Sequence, residues 1–175
     1  MNVAITASDA FVAPFIVEML GKSAVIIPDE VISDQLKLDT MLTPCNALIH
    51  INSRPVESSF ERNDRQTKLE MMNAARPILD AVDRHGSLHL IIIGTLRVHP
   101  QWEPGEPFYG LDSTLAPRDT AAEGQLWMEE NALDRAQTER PVSVIRASKF
   151  RGYLSQDHLE MGFYIAGLTN AKWAG

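Results

Sequence analysis

The chain has 175 residues, 45% apolar and 22% charged, enough for one globular domain with a sizeable core and too few for two ordinary ones. A formal net charge of -7 repels phosphate and argues against a nucleic-acid partner. Cys45 is the only cysteine, which excludes an intrachain disulfide, and no apolar run reaches the roughly 18 residues of a membrane span.

The opening stretch MNVAITASDAFVAPFIVEML lacks a basic leader and places Asp9 and Glu18 among its apolar residues, unlike a signal peptide. A soluble cytoplasmic protein is the expectation. Five short Val/Ile-rich runs read as strands: residues 3–6, 24–28, 47–51, 88–94 and 142–147. Being almost continuously apolar, they suit strands covered on both faces.

Helical stretches lie between several of the runs. Residues 10–20 follow the first, with Gly21 as a stop. The short segment 29–42 contains Leu36-Lys37-Leu38, which reads as the remnant of a further strand. Residues 63–84 set Leu69, Met72, Ala75, Leu79 and Val82 at helical spacing up to Gly86, and Pro77 should kink or split that helix. Residues 100–117, with their prolines and glycines, read as a loop. A third long helix over 120–138 opens on Thr120-Ala-Ala-Glu123, the spacing of a capping box. Strands alternating with helices predict a Rossmann-like, doubly wound α/β fold. It has a parallel sheet of about five to six strands over residues 1–152, with 153–175 as a separate tail.

Four segments carry a resemblance. Thr6-Ala7-Ser8-Asp9-Ala10-Phe11-Val12-Ala13 follows the first strand, and Cys45-Asn46-Ala47-Leu48-Ile49-His50-Ile51-Asn52-Ser53 covers the third run. Ile78-Leu79-Asp80-Ala81 leads into Leu90-Ile91-Ile92-Ile93-Gly94-Thr95-Leu96-Arg97-Val98, and Pro141-Val142-Ser143-Val144-Ile145-Arg146 precedes Gly152. In this order they resemble the NAD(P)-dependent epimerase/dehydratase family of the extended short-chain dehydrogenases. The chain resembles a shortened, degenerate member, since relatives continue into a substrate-binding lobe.

The resemblance implies a dinucleotide site, and the residues present weaken it. Three glycines of the family's TGxxGxxG turn are Ala7, Ala10 and Ala13 here. Alanine at the third place is an accepted variant, but methyls at Ala7 and Ala10 intrude on the turn and the pyrophosphate. Asp9 lies where amides would meet the pyrophosphate. A carboxylate about 5 Å from a phosphate charge, at an effective dielectric near 20, costs on the order of 3 kcal/mol, or roughly a hundredfold in affinity. Asp9 either caps the helix itself or faces water. Phe11 keeps its family position, and Asp29 lies one residue past the place of the ribose-binding acid, which Pro28 occupies. NAD(P) affinity is therefore expected to be weak or lost.

The family's proton transfer uses a Ser/Thr, a Tyr and a Lys four residues on. Thr95 matches the Ser/Thr. Counting from Glu129, which matches the family's Glu, Ala121 stands at the Tyr and Gln125 at the Lys, and neither can move a proton at neutral pH. Tyr109 has Ser113 four residues on and does not restore the pair. Thr95 alone better fits a strand-end hydroxyl that caps backbone.

Other chemistry finds little support. His50, His85, His89, His99 and His158 show no metal spacing, and no metal site is expected. His50, in a buried strand, reads as a satisfied core histidine. Arg54, Arg62 and Arg65 could meet an anion but read better as solvated charges. Trp127, Met128 and Leu133 suggest packing or a partner surface.

Three readings of function stay open at this point. The leading one is a non-catalytic binding protein for a nucleotide-like ligand or a protein partner. The others are an NAD(P)-dependent enzyme with an unorthodox site using Thr95 and His99 or Tyr109, and a decayed or truncated gene product. The resemblance also implies a homodimer through helices 63–84 and 120–138, with Trp127 and Met128 at a self-complementary patch.

Overall fold

A computed structural model gives the fold and describes residues 1–6, 12–51, 64–101, 109 and 113–147. Five strands, β1 (Asn2–Ile5), β2 (Ala24–Ile26), β3 (Cys45–Ile51), β4 (His89–Thr95) and β5 (Val142–Ala147), form one parallel sheet in the order β2-β1-β3-β4-β5. Among the described residues five α-helices accompany them: α1 (Ala13–Leu20), α2 (Asp29–Ile32), α3 (Gln35–Leu42), α4 (Asp64–Arg84) and α5 (Thr120–Asp134).

Alternation along the strands sorts the core into two layers. Ala4, Leu48, Leu90, Ile92, Val142 and Val144 pack with Leu38 and Leu42 of α3, Ile78 and Leu79 of α4 and Met128 of α5. Ile5 and Ile51 point the other way and meet Val12 and Ala13 at the start of α1. Helices thus cover both faces, the doubly wound α/β arrangement that the apolar runs predict.

Several local expectations are corrected. Leu36-Lys37-Leu38 is helical within α3. Asp34 caps this helix by accepting from the Lys37 amide at 3.2 Å, and Leu38 and Leu42, four apart, are both fully buried while Leu36 is exposed. Helical spacing toward the core overrides the brief alternation of three residues.

The cap of α5 is Asp119, whose carboxylate accepts from the Ala122 amide at 2.9 Å. Thr120 is the first helical residue, and Glu123 reaches across to Lys68 of α4 at 2.7 Å. The capping-box reading was therefore one residue out, because an aspartate stood directly before it. Helix α5 also ends at Asp134, short of Thr138.

Helix α4 continues through Pro77 as a single element. The missing amide frees the carbonyl of Asn73, which lies on the exposed side where water can satisfy it. Its apolar stripe is also shifted, since Leu69 is exposed while Ala75, Ile78, Leu79, Ala81 and Val82 are buried. Gly124 of α5 faces Met71 and Lys68, where a Cβ would come within 2.9 Å of the Met71 Cβ, so its bare backbone admits close helix packing.

Helix α1 begins at Ala13, and residue 10, its expected start, lies outside the described residues. Val12 occupies the cap position without a side-chain bond, and Gly21 at φ 54° closes the helix by donating its amide to the Val17 carbonyl. Residues 153–175, the expected tail, lie outside the described residues.

Candidate functional site at the carboxyl ends of the strands

The chain reverses direction across the sheet between β1 and β3. From β1 it passes to β2 on one side, and β3 is laid down on the other. In open parallel sheets ligands bind beyond the strand ends at such a switch point.

There Thr6 continues β1 by donating its amide to the Ile49 carbonyl at 3.0 Å, and its hydroxyl lies 2.6 Å from Nδ1 of His50. Both residues are buried. Burial pushes the His50 imidazole down to about 4, so the ring is neutral at physiological pH. His50 is therefore a hydrogen-bonded core histidine.

A second polar cluster joins β4, β5 and α5. Gln125 donates from Nε2 to Oε1 of Glu129 at 2.8 Å, and Arg146 donates from Nε to Oε2 of the same carboxylate at 2.8 Å. All three are almost wholly inaccessible to solvent. Burial pushes the Glu129 carboxyl up, and the Arg146 guanidinium pulls against that shift. Gly94 in β4 makes room for the group, since a Cβ there would overlap Glu129 Oε1 and lie 2.6 Å from Gln125 Nε2.

Arg146 continues the cluster to His99, whose Nε2 lies 3.5 Å from Arg146 Nη1. The His99 Nδ1 sits 3.2 Å from the Thr114 carbonyl, and the ring stacks on Tyr109 at 4.5 Å with a 12° tilt. Burial lowers its affinity for a proton, the bond to the Thr114 carbonyl works against this, and Arg146 and Arg118 act in the direction of burial.

Ala7, Asp9, Ala10 and Phe11 lie outside the described residues, as do Arg54 and Arg62. Ala13 is the buried first residue of α1, packed on Ile5 and Ile51. Asp29 is exposed in the first turn of α2, and the buried Ile27 precedes it by two residues. Thr95 accepts from the Arg97 amide at 3.2 Å and caps the 3-10 turn Leu96–Val98. Ala121 presents a methyl, and Gln125 is engaged with Glu129.

Tyr109 donates to the Pro100 carbonyl and accepts from Arg118 at 3.1 Å. Its hydroxyl is thus tied into local structure. Met128, expected at a subunit interface, is fully buried in the main core, and this overturns its assignment there. Trp127 is half-buried, with Arg76 of α4 6.0 Å from its ring.

The pairing of Glu129 with Arg146 was not foreseen, although both residues matched family positions. The spacing of Gln125 and Glu129, one helical turn apart, was the available signal for the first half of that cluster. Nothing in the sequence announced Arg118, which bonds the His99 carbonyl at 3.0 Å and the Pro100 carbonyl at 2.6 Å.

Among the described residues no three His, Cys, Asp or Glu side chains converge on a metal position. No described helix is long and apolar enough to cross a membrane.

These features define a Rossmann-like α/β protein with a buried polar cluster behind the strand ends. No family model matches the chain, and no curated protein does. Solved structures share its fold. A short-chain dehydrogenase/reductase superfamily protein from Agrobacterium tumefaciens, with bound NAD, superposes with TM-score 0.66 at 16% identity over 83% of this chain and 48% of the other.

The dTDP-4-dehydrorhamnose reductase from Bacillus anthracis, in complex with NADP, gives TM-score 0.66 at 16% identity over 88% of this chain and 56% of the other. The dTDP-glucose 4,6-dehydratase from the same organism, in complex with NAD, gives 0.67 at 15% over 87% and 56%. The chain spans about half the length of these proteins.

Where the resemblance puts the family's Lys stands the buried amide of Gln125, and where it puts the ribose-binding acid stands Pro28, two residues past β2.

Proposed function

We propose that this chain is a Rossmann-like binding protein that has lost redox and epimerase catalysis and takes a nucleotide-like ligand, with weakened NAD(P) affinity. One observation carries the reading: Gln125, at the place of the proton-transfer lysine, is buried and donates its amide to Glu129. An amide neither lowers the pKa of a neighbouring hydroxyl by charge nor exchanges a proton at neutral pH. Ala121 adds no hydroxyl at the partner position.

The unorthodox-enzyme alternative loses support because the His99 ring is wholly buried and lies between Thr114, Arg146 and Tyr109. A titration of purified protein with NADH and NADPH, together with turnover assays on nucleotide sugars, tests the proposal. Dissociation constants far weaker than low micromolar and no turnover are expected. The triple variant Ala7→Gly, Asp9→Ala, Ala10→Gly should bind more tightly. Low-micromolar binding by the native chain, or turnover that survives Thr95→Ala, would overturn it.

The same reading includes a cytoplasmic homodimer through α4 and α5. The supporting observation is that Leu69 is 47% exposed on α4 and Trp127 is left half-covered on α5.

A further inference from the structure

The backbone on either side of His99 is zipped to a distant stretch of chain. Ala116 donates to the Val98 carbonyl at 2.9 Å and Arg118 to the Arg97 carbonyl at 3.0 Å, so residues 97–100 and 114–118 form the base of one loop. His99 joins that base to the sheet. On one side are Thr114 and Tyr109; on the other is Arg146 of β5, itself held by Glu129 of α5.

The carbonyl of Thr114 can only accept a hydrogen bond, so Nδ1 of His99 carries the proton. In the neutral ring Nε2 is then a lone pair, and it faces an N–H of Arg146. This arrangement exists only while the imidazole is uncharged. A second proton would put a donor against a donor and a cation between two arginines, Arg146 from β5 and Arg118 from the loop base. Of the described ionisable groups around it, Glu129 from α5 is already committed to Arg146, Asp119 is paired with Arg97, and the Tyr109 hydroxyl bonds Pro100 and Arg118. None supplies an unpaired negative charge to a protonated His99.

We propose that His99 is a proton-sensitive latch that fastens the loop base to the end of β5 when neutral and releases it when protonated. The device goes beyond the proposed binding function and does not depend on it. Release is local, because the rungs at Val98 and Arg97 lie outside the sheet ladder.

Histidine ring NMR and amide hydrogen exchange on the full chain test the latch between about pH 7 and pH 5. Protection at the Ala116 and Arg118 amides, corrected for intrinsic exchange, should fall about tenfold or more with the midpoint of the His99 ring, while protection at Leu90 stays unchanged. In His99→Gln, which keeps a donor for Thr114 but cannot be charged, that pH dependence should vanish. Protection at Ala116 and Arg118 that ignores His99 ionisation, or that follows the His50 ring instead, would overturn the latch. If His99→Gln does not fold, agreement or disagreement of the two native midpoints decides the matter alone.

Discussion

Gly94 lies directly beneath Glu129, and the space left by its missing side chain is filled by the Glu129 carboxylate and the Gln125 amide. Because β4 is held between β3 and β5, its backbone has little freedom to yield. Gly94→Ala should therefore displace the cluster and destabilise the protein by about 3 kcal/mol, combining overpacking with a disturbed buried ion pair. Urea unfolding of the variant checks this. A loss below about 0.5 kcal/mol would mean that helix α5 shifts freely.

The Glu129–Arg146 pair has only 0% and 4% of its side-chain surface exposed. Removing one partner leaves the other charge buried and uncompensated. Arg146→Met should cost about 3–5 kcal/mol, while the double variant with Glu129→Leu should recover much of that loss. Chemical denaturation of the two single variants and the double variant gives the coupling. Additive losses would show that the residues act independently.

Stability should fall in acid, with a contribution assigned to His50. Its folded-state pKa is about 4 against 6.5 for the free group, so the unfolded chain binds the proton more readily. The stabilisation is complete above pH 6.5 and is lost as pH drops toward about 4, amounting to about 3 kcal/mol. His89 and His99 are shifted the same way by burial and steepen the fall. Glu129, pushed upward, works in the opposite sense, since the folded chain holds that proton more tightly than the unfolded one. Unfolding free energies of native protein and His50→Gln across this range should diverge, the variant giving the flatter profile. Parallel profiles would remove His50 as the source.

Met128 and Trp127 should respond differently to charge. Met128→Lys places an ammonium in the sealed core and should abolish folding, whereas Trp127→Glu should leave the fold intact and convert a dimer to monomer. Light scattering and circular dichroism separate these outcomes. A native chain that is monomeric at micromolar concentration would rule the dimer out.

The strands were legible because continuous Val/Ile runs leave few other options, and β5 was placed at its observed limits. Short helices were harder. Leu36-Lys37-Leu38 alternates like a strand, and only the partner four residues on, Leu42, reveals the helical stripe. Thr95 as a strand-end cap and His50 as a core histidine were legible by position, but the arrangement around them was not. Glu129 and Arg146 are 17 residues apart and His99 and Arg146 are 47 apart, and such pairings arise only when strands and helix are assembled. Met128 was misplaced because two adjacent stripes of α5 both look apolar in sequence, and the inward one depends on how α5 meets α4.

The strand order also bears on synthesis. Strand β4 ends at Thr95, and its outer neighbour β5 is complete only at Ala147, 52 residues later. While a ribosome is still producing the intervening α5, β3 and β4 can already pair, and the far side of β4 remains an open row of backbone donors and acceptors flanked by Leu90 and Ile92. A nascent chain at that stage offers a sticky edge to its neighbours on a polysome. Slow translation between residues 96 and 141 would therefore lengthen the interval in which aggregation competes with folding.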